Sequence, residues 1–350
     1  MKNDIKDSLL IIFEKDLNNR YEYFVNHTEI STLKLNLDNR YEKNLLKNIY
    51  RRILYKEELE KSKKIILQKC VNKKYIFVSN SEGFIALNLI VFMKKNLNCK
   101  IISLQHGIFE FIKWPSYKKF VKLVINSATR IIFGIQPIGL GFGHKIADKY
   151  IVYCDEYKNF LVSRGWHDND VIVSSFFLKG KKNDPLIRKK DYQYNKNVLL
   201  ILQPMSASGM MKWKTENNLY TKVIKVLLKK FDKIYIRQHP FKRVNLEYSS
   251  KNIIETNETS LIEDLNMANT VISFMSTVLV DYEEMEKEFI SIYTKHLSFY
   301  SSSYVAFNKI YYIDDDNNLS FKITDNPNRK RKYFYQTGVS SIKNLYQAIL

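Results

Sequence analysis

The chain has 350 residues, of which 45% are hydrophobic and 26% charged, and it carries a formal net charge of +20. This length exceeds that of one compact domain, so two domains with separate cores are expected. The hydrophobic content excludes a disordered chain, and the lack of a long uncharged apolar run argues against a membrane-spanning helix. The positive charge favours an anionic partner without selecting among nucleic acid, anionic lipid and a phosphorylated substrate.

Cysteine usage and the start of the chain bear on its compartment. Cys70, Cys99 and Cys154 are widely separated, and none of them forms a C-x-x-C pair. This usage predicts a reducing cytoplasm and no structural zinc. The apolar run Leu9–Phe13 is flanked by acidic residues and predicts a first strand rather than a signal peptide. The basic residues form no tract interleaved with aromatic residues, so nucleic acid is not an expected partner.

From residue 75 onward, short β-branched or aromatic runs alternate with amphipathic segments, a pattern typical of βαβ units and a parallel sheet. The charged segment from about 30 to 70 has Leu and Ile at helical spacing, which predicts one or two long surface helices. In the first half, strands are predicted at 75–78, 100–104, 150–153 and 171–173, with helices near 84–96, 118–128 and 155–164.

The pattern restarts after a stretch rich in Lys with Gly and Pro, which predicts a linker over residues 181–196. Strands are then predicted at 197–202, 233–237, 270–273 and 289–293, with helices near 215–230, 259–268 and 276–286. The predicted fold is therefore α/β, with two doubly wound, Rossmann-like domains over residues 1–180 and 197–350. Such sheets bind ligands at the carboxyl ends of their strands, so the two domains are expected to face a central cleft.

The first candidate site residues follow strand 100–104, where the chain continues as Gln105, His106 and Gly107. A histidine at the carboxyl end of a strand is suited to act as a base near neutral pH, and glycine lets a ligand approach the backbone. Capping of the turn is the alternative role for His106.

A second candidate base is Glu82, in the turn Asn80-Ser81-Glu82-Gly83 that follows strand 75–78. A carboxylate at this position would face the same cleft. The alternative is that the turn caps the next helix, with Glu82 as an acidic residue of its first turn.

In the second half, strand 233–237 runs directly into Gln238-His239-Pro240. Proline ends the hydrogen-bonded ladder, which directs His239 out of the sheet, and Arg237 adds a permanent cation. A basic pair at a strand end suits a nucleotide phosphate or ribose.

Hydroxyl residues follow two other strands of this half. The strand 270–273 leads through Ser273, Ser276 and Thr277 into a predicted helix. Such hydroxyls cap helices, and they also lie among backbone N–H groups at the positive end of the helix dipole, where phosphate binds without a metal. A further set of small residues follows strand 197–202 and would approach a phosphate: Ser206, Ser208 and Gly209.

The chain lacks H-E-x-x-H, G-x-S-x-G and G-x-G-x-x-G motifs, and the acidic run Asp314–Asp316 is interpreted as a polar turn. No metal and no cofactor are therefore expected. A transferase that handles a nucleotide phosphate would then have to rely on helix ends, Arg, His and hydroxyl groups.

The order of these motifs, a His-Gly turn, then His-Pro, then a Ser/Thr cluster that opens a helix, resembles the GT-B glycosyltransferases that build bacterial surface polysaccharides. It is similar above all to sialyltransferases and polysialyltransferases that use CMP-sugars. The resemblance implies that His239, Pro240, Ser276 and Thr277 hold the CMP moiety. In those enzymes the base belongs to an acidic-acidic-glycine motif, of which this chain has only the partial match around Glu82.

The resemblance covers roughly residues 75 to 295. Teichoic-acid polyol-phosphate polymerases carry a His-Gly motif like that of His106 and Gly107, and Kdo transferases share the His-Pro element. The base is therefore expected to be His106, with Glu82 as the competing candidate. Residues 1–180 would form the acceptor side, including Gln105 and Gly107, and residues 197–350 would bind the nucleotide-sugar.

The expected activity is an inverting, metal-independent transfer of sialic acid or a related nonulosonate from a CMP-activated donor to a lipid-linked or lipopolysaccharide glycan. CDP-glycerol or CDP-ribitol phosphotransfer, Kdo transfer and transfer from UDP- or GDP-sugars are alternatives on the same scaffold. A non-catalytic basic protein that binds nucleic acid or membrane is an alternative of another class. The expected location is the cytoplasm, peripheral on the inner face of the cytoplasmic membrane, where scattered lysines contact anionic lipid.

Overall fold

The computed structural model describes residues 7–14, 21–38, 45–81, 83–105, 116–139, 144–153, 155–174, 196–206, 211–239, 243–244, 246, 250–256, 258–274, 276, 278, 287–294, 309–313 and 322–325. The chain divides into two compact units, each built on its own sheet. The linker predicted over 181–196 lies almost entirely outside the described residues, so the exact domain boundaries stay a prediction.

The first unit contains a six-stranded parallel sheet in the order β2-β1-β3-β4-β5-β6. Its strands are β1 (Ser8–Glu14), β2 (Ser31–Leu37), β3 (Tyr75–Val78), β4 (Lys100–Leu104), β5 (Lys149–Val152) and β6 (Val171–Val173). Its helices are α1 (Glu22–Thr28), α2 (Leu45–Leu54), α3 (Lys56–Cys70), α4 (Phe84–Asn96), α5 (Ser116–Phe133) and α6 (Asp155–Ser163). The order reverses between β1 and β3, which is the switch point of this sheet.

One part of the first unit differs from the sequence prediction. The segment from 30 to 70 was expected to be helical throughout, but it begins with the edge strand β2, which pairs in parallel with β1. Along β2, Leu33, Leu35 and Leu37 are less exposed than Lys34 and Asn36, which alternate with them. An alternation of period two is the pattern of a strand with one buried face, and it was outweighed by the helical spacing of α2 and α3 downstream.

The second unit contains a seven-stranded sheet in the order β13-β12-β11-β10-β7-β8-β9. Its strands are β7 (Asn197–Ile201), β8 (Lys233–Arg237), β9 (Ile253–Glu255), β10 (Thr270–Ser273), β11 (Glu288–Thr294), β12 (Lys309–Ile313) and β13 (Lys322–Asp325), and its helices are α7 (Trp213–Lys230) and α8 (Leu261–Met267). All neighbouring strands are parallel except β12 and β13, which are antiparallel. The strands β9, β12 and β13 were not predicted from the sequence.

These two sheets confirm the prediction of an α/β fold with two Rossmann-like domains. The predicted helix over 276–286 lies outside the described residues except for Ser276 and Val278, of which Val278 is helical. The acidic run Asp314–Asp316 also lies outside them.

Both sheets are buried through their centres. In β3, Ile76, Phe77 and Val78 are fully buried, as expected for a parallel strand covered on both faces. In the second unit, the ring of Tyr220 on α7 packs edge-on against Phe274, with ring centroids 5.2 Å apart. This packing fixes the start of the loop after β10 against α7, so the carboxyl edge of the sheet rests on a rigid core.

Candidate functional site

The carboxyl edge of the second sheet brings together the segments that the sequence marked as a nucleotide site. Strand β7 pairs with β8 on one side and with β10 on the other, in a register that places Arg237, Ile201 and Ser273 in one row. Neighbouring strands lie about 4.8 Å apart, so the loops after β7, β8 and β10 leave the sheet side by side. The switch point of this sheet lies between β7 and β10, where doubly wound sheets bind ligands.

The loop after β7 is held by two side chains one turn apart on α7. The Tyr220 hydroxyl accepts a hydrogen bond from the Gln203 N–H at 2.7 Å and donates one to the Gln203 carbonyl at 2.9 Å. Glu216 accepts from the Ser206 N–H at 2.9 Å and from the Ser206 hydroxyl at 2.6 Å. Tyr220 is fully buried, and burial raises its pKa above the ordinary tyrosine value, so the hydroxyl keeps its proton.

The Ser206 proton is therefore already donated to Glu216, which leaves the hydroxyl oxygen only as an acceptor for a ligand. The predicted contact of Ser206 with a phosphate stays a prediction, and the loop's other predicted contacts, Ser208 and Gly209, lie outside the described residues. The sequence reasoning missed Glu216 and Tyr220. Their only signal is a carboxylate in the first turn of a helix, four residues before a tyrosine.

Arg237, at the end of β8, is paired with a buried carboxylate. Its Nη1 donates to Asp264 on α8 at 2.5 Å and to the Thr259 carbonyl at 2.9 Å. Asp264 also accepts from the hydroxyls of Thr256 and Thr259, and it is completely buried. The positive charge of Arg237 is thus largely neutralised within the protein, and its predicted role with a nucleotide stays a prediction. Asp264 was missed by the sequence reasoning.

The next residue, Gln238, closes the loop that contains the His-Pro motif. Its side-chain amide donates to the Val244 carbonyl at 3.1 Å and accepts from the Val244 N–H at 2.9 Å. Both bonds are buried, so the two ends of a short loop are clamped together. His239 lies at the start of this loop and is partly exposed, whereas Pro240 lies outside the described residues.

The hydroxyls after β10 have structural partners. Ser273 is completely buried and donates to the Ile201 carbonyl of the neighbouring strand at 2.7 Å. The Ser276 hydroxyl accepts from the Val278 N–H at 3.3 Å, which is the bond of a helix cap. This bond has the pattern of an N-cap, and the predicted contact of Ser276 with a phosphate stays a prediction. Thr277 lies outside the described residues.

A second group of polar residues lies at the switch point of the first sheet. Asn80, which follows β3, donates through its side chain to the carboxylate of Glu14, at the end of β1, at 3.3 Å. The preceding residue, Ser79, accepts from the Phe13 N–H at 3.2 Å, and its carbonyl accepts from the Tyr21 hydroxyl at 2.6 Å. The strand ends are therefore joined by polar bonds.

Asn80 is almost completely buried, yet its side-chain oxygen has no hydrogen-bond partner among the residues that the structure describes. A buried polar atom without a partner is unusual and often marks a place where a ligand or water binds. The predicted base Glu82 lies two residues further on, outside the described residues. The structure thus adds Glu14 and Asn80, which the sequence reasoning had not named as site residues, to this edge.

Gln105, predicted on the acceptor side, is completely buried at the end of β4. Its side chain accepts from the Tyr153 N–H at 3.0 Å, and its own N–H donates to the Ile151 carbonyl at 3.0 Å. These bonds tie the end of β4 to β5 and fix the backbone from which the chain continues into His106 and Gly107. Both of those residues lie outside the described part of the chain.

Within the described part of the chain, no group of three or more His, Cys, Asp or Glu side chains is arranged to hold a metal ion. The polar groups that are described at both sheet edges are hydroxyl, amide, guanidinium, imidazole and carboxylate groups, most of them bonded to one another or to the backbone. Such edges position a ligand through preformed hydrogen bonds.

Comparison with known proteins assigns the chain to a family. The model of the alpha-2,8-polysialyltransferase family matches residues 1–289. A comparison with curated protein sequences gives no match.

Solved structures resemble the fold at low identity. The UDP co-structure of MnaA from S. aureus is 11% identical, with a TM-score of 0.51, over 81% of this chain and 79% of that one. UDP-GlcNAc 2-epimerase from Neisseria meningitidis, bound to UDP-GlcNAc, is 12% identical with a TM-score of 0.49, over 81% of this chain and 82% of that one. The calicheamicin glycosyltransferase CalG4 is 8% identical with a TM-score of 0.48, over 89% of this chain and 86% of that one. The first of these likenesses supports the fold and does not bear on the reaction.

Proposed function

This chain belongs to the alpha-2,8-polysialyltransferase family, and we propose that it transfers sialic acid or a related nonulosonate from a CMP-activated donor to a cell-surface glycan. It is a glycosyltransferase; the donor, the acceptor and an inverting, metal-independent mechanism are the proposal. The observation that carries it is the family match over residues 1–289, which includes every strand from β1 to β10.

We place the CMP moiety at the carboxyl edge of the second sheet. The loops after β7, β8 and β10 lie side by side there, and two of them are clamped by buried side-chain hydrogen bonds from Glu216, Tyr220 and Gln238. A preformed edge loses little conformational entropy when it binds a nucleotide. Because Arg237 is paired with Asp264, the donor phosphate would depend mainly on His239 and on the helix start at Ser276.

We place the acceptor at the carboxyl edge of the first sheet. His106, which directly follows the fixed residue Gln105, would take the proton from the acceptor hydroxyl. The hydroxyl oxygen would then form a bond to the anomeric carbon of the sugar as the bond from that carbon to the phosphate oxygen breaks. CMP would leave with the bonding electron pair on its phosphate. Glu82 is the alternative base, and Glu14 and Asn80 would bind acceptor hydroxyls.

A UDP-sugar is an alternative donor on the same scaffold. CDP-polyols and CMP-Kdo would use the same edge, so nucleotide selectivity is the property that separates the candidates.

A thermal-shift panel of CMP, CDP, UMP, UDP and GDP tests the donor assignment, because a ligand that binds only the folded protein raises its Tm. We expect CMP to give the largest rise and His239→Ala to reduce it. Selective stabilisation by UDP or GDP would contradict the CMP assignment, and selective stabilisation by CDP would favour a polyol-phosphate donor. Incorporation of sialic acid from CMP-sialic acid into an oligosialic acid acceptor then tests the transfer itself.

A cytoplasmic, peripheral membrane location on the inner leaflet goes with this proposal, because lipid-linked and lipopolysaccharide acceptors are anchored in that membrane. Recovery of the native chain in the membrane fraction, and its release by high salt, is the corresponding measurement.

A further inference from the structure

Helix α5 exposes an apolar face. Its exposed large apolar residues include Phe120 at 67%, Ile131 at 85% and Ile132 at 69% relative exposure. With 3.6 residues per turn, these and the other exposed apolar side chains occupy about one half of the helix surface. The exposed apolar residues on this half of the helix are Phe120, Val121, Leu123, Val124, Ile131 and Ile132. Phe133, which is 40% exposed, lies on the other half. A surface helix of a globular protein normally buries such a face.

The opposite side of α5 faces the protein with a polar residue. Asn126 is buried, and its amide donates to the Ile138 carbonyl at 2.8 Å and accepts from the Ile138 N–H at 3.0 Å. The helix is therefore attached to the first unit through a buried amide while its apolar face is exposed. This arrangement is the reverse of the usual amphipathic pattern.

Helix α2 shows the same reversal. Leu46 is 76% exposed, and Tyr50 and Leu54, which follow at intervals of four residues, are each 63% exposed. On its other side, Arg52 donates to the Pro137 carbonyl at 2.8 Å, and its guanidinium lies 4.6 Å from the centre of the Phe84 ring.

The two helices are attached to consecutive residues of one segment. Arg52 of α2 bonds to Pro137, and Asn126 of α5 bonds to Ile138. Asn88 of α4 binds the residue before them, Gln136, by a donated bond of 2.8 Å and an accepted bond of 3.0 Å. The two helices are thus tethered within the same unit at one place. We call their exposed apolar residues the α2/α5 surface: Leu46, Tyr50, Leu54, Phe120, Val121, Leu123, Val124, Ile131 and Ile132.

The charged residues of both helices are all basic. Residues 45–54 and 116–133 contain no Asp or Glu. Arg52 faces the protein, and the other cations of the two helices are Lys47, Arg51, Lys118, Lys119, Lys122 and Arg130. No helix in the described part of the chain is long and apolar enough to span a bilayer, so an apolar and basic helix face of this kind is suited to lie in an interface rather than to cross it.

We propose that the α2/α5 surface is a membrane-binding surface that docks on an anionic lipid bilayer. Its apolar side chains insert between the headgroups, and the exposed cations of the same helices, Lys47, Arg51 and Arg130, contact the lipid phosphates. Charge complementarity favours this occupant over a second copy of the chain, because two copies would face each other with two basic helices that contain no Asp or Glu. The sequence analysis expects scattered lysines to contact anionic lipid, whereas this surface docks by inserting apolar side chains at a defined place.

The test is co-sedimentation of the full chain with vesicles of phosphatidylcholine alone and of phosphatidylcholine mixed with phosphatidylglycerol. We expect tighter binding to the anionic vesicles. Phe120→Ser/Ile131→Ser is expected to weaken partitioning by about tenfold or more for each side chain removed from the apolar face. Arg51→Gln/Arg130→Gln is expected to weaken it by about fivefold for each cation on anionic vesicles only.

The matched control is Val71→Ser, which changes a residue of the same unit that is 67% exposed but lies outside α2 and α5. Val71→Ser should bind vesicles as the wild type does. His239→Ala should also bind vesicles like the wild type, so a failure of the donor assignment can be told apart from a failure of this proposal. Circular dichroism of each variant checks folding. The proposal fails if a folded Phe120→Ser/Ile131→Ser variant binds vesicles like the wild type, or if that variant only converts a dimer to a monomer.

Discussion

Glu216 on α7 accepts two hydrogen bonds from Ser206, one from its backbone N–H at 2.9 Å and one from its hydroxyl at 2.6 Å. Both residues are buried, so the carboxylate serves as the fixed end of the loop that follows β7. Together with the bonds of Tyr220 to Gln203, this arrangement sets the loop before any nucleotide binds.

Replacing Glu216 should therefore cost stability. Glu216→Ala leaves the buried Ser206 N–H without an acceptor, and we expect the free energy of unfolding to fall by about 2 kcal/mol. Urea unfolding followed by circular dichroism measures it, with the exposed Glu258→Ala as the control. Adding Ser206→Ala to Glu216→Ala should cost much less than Ser206→Ala alone, since the shared bond is already lost. Equal costs in both backgrounds would show that the two residues are not coupled.

The pair of Arg237 and Asp264 makes a second stability prediction. Arg237→Ala leaves a fully buried carboxylate without its cation, so we expect a loss of about 3–5 kcal/mol in the free energy of unfolding. Asp264→Ala/Arg237→Ala should lose less than the sum of the single variants, which a double-mutant cycle in urea measures. Arg243→Ala, which changes an exposed arginine of the following loop, is the control and should be close to wild type.

A further variant tests whether Arg237 contacts the donor nucleotide or serves only as the partner of Asp264. If the ion pair is structural, Arg237→Lys and the wild type should show similar CMP-induced rises in Tm. A selective loss of the CMP effect in Arg237→Lys, with Tm of the free protein preserved, would instead show that the guanidinium contacts the nucleotide directly.

The lowered pKa of Lys287 leads us to expect that the stability of the fold depends on pH. Burial lowers the pKa of Lys287 from 10.5 to about 8, and its Nζ donates to the Ala268 carbonyl at 2.7 Å. Between those two pH values the unfolded chain binds more protons than the folded protein, so this residue's contribution to stability rises as pH rises through that window. The cost of burying the charged form is present in full below pH 8.

The measurement is the difference in unfolding free energy between the wild type and Lys287→Met at several pH values. We expect the wild type to gain relative to the variant from about pH 8 to pH 10.5. Taking the difference removes the opposite trend from Tyr55, whose pKa burial raises to about 12, because both proteins contain it. A flat difference over this range would contradict the burial of the ammonium group.

Local patterns predicted the strands that carry the candidate site, because an apolar run bounded by Gly, Pro or polar residues is visible within a few residues of sequence. The partners of the site residues were not predictable in this way. Asp264 is 27 residues from Arg237 and Glu216 is 10 residues from Ser206, and only the packing of α8 and α7 on the sheet brings them together.

The α2/α5 surface was also hidden from a sequence-only argument. The spacing of Phe120, Val124 and Ile131 is that of a buried face, and without the fold one assigns it to the core. The burial of Asn126 shows which side faces the protein. Periodicity is the same for a buried and for an exposed apolar helix face, so only the exposure of the side chains distinguishes them.

If Asn80 binds the acceptor, its replacement should raise the KM for the glycan acceptor. Its side-chain oxygen is buried and has no partner within the described part of the chain, so among described bonds Asn80→Ala loses only the 3.3 Å bond to Glu14. We expect a fall in unfolding free energy of about 1 kcal/mol and a clear rise in KM for the glycan acceptor, with KM for the donor unchanged. Initial rates at varied acceptor concentration measure this. An unchanged acceptor KM would show that Asn80 is only structural.

The choice between the two candidate bases is settled by a pair of variants. If His106 takes the proton from the acceptor hydroxyl, His106→Ala should lower kcat by about 10²- to 10⁴-fold and leave the rise in Tm caused by CMP intact. Glu82→Gln, which keeps the size of the side chain and removes its charge, should then retain transfer. The opposite result, an inactive Glu82→Gln beside an active His106→Ala, would move the base to the carboxylate. That outcome would bring the chain closer to the acidic pattern of the sialyltransferases that it resembles, and it would leave the nucleotide edge of the second sheet unaffected.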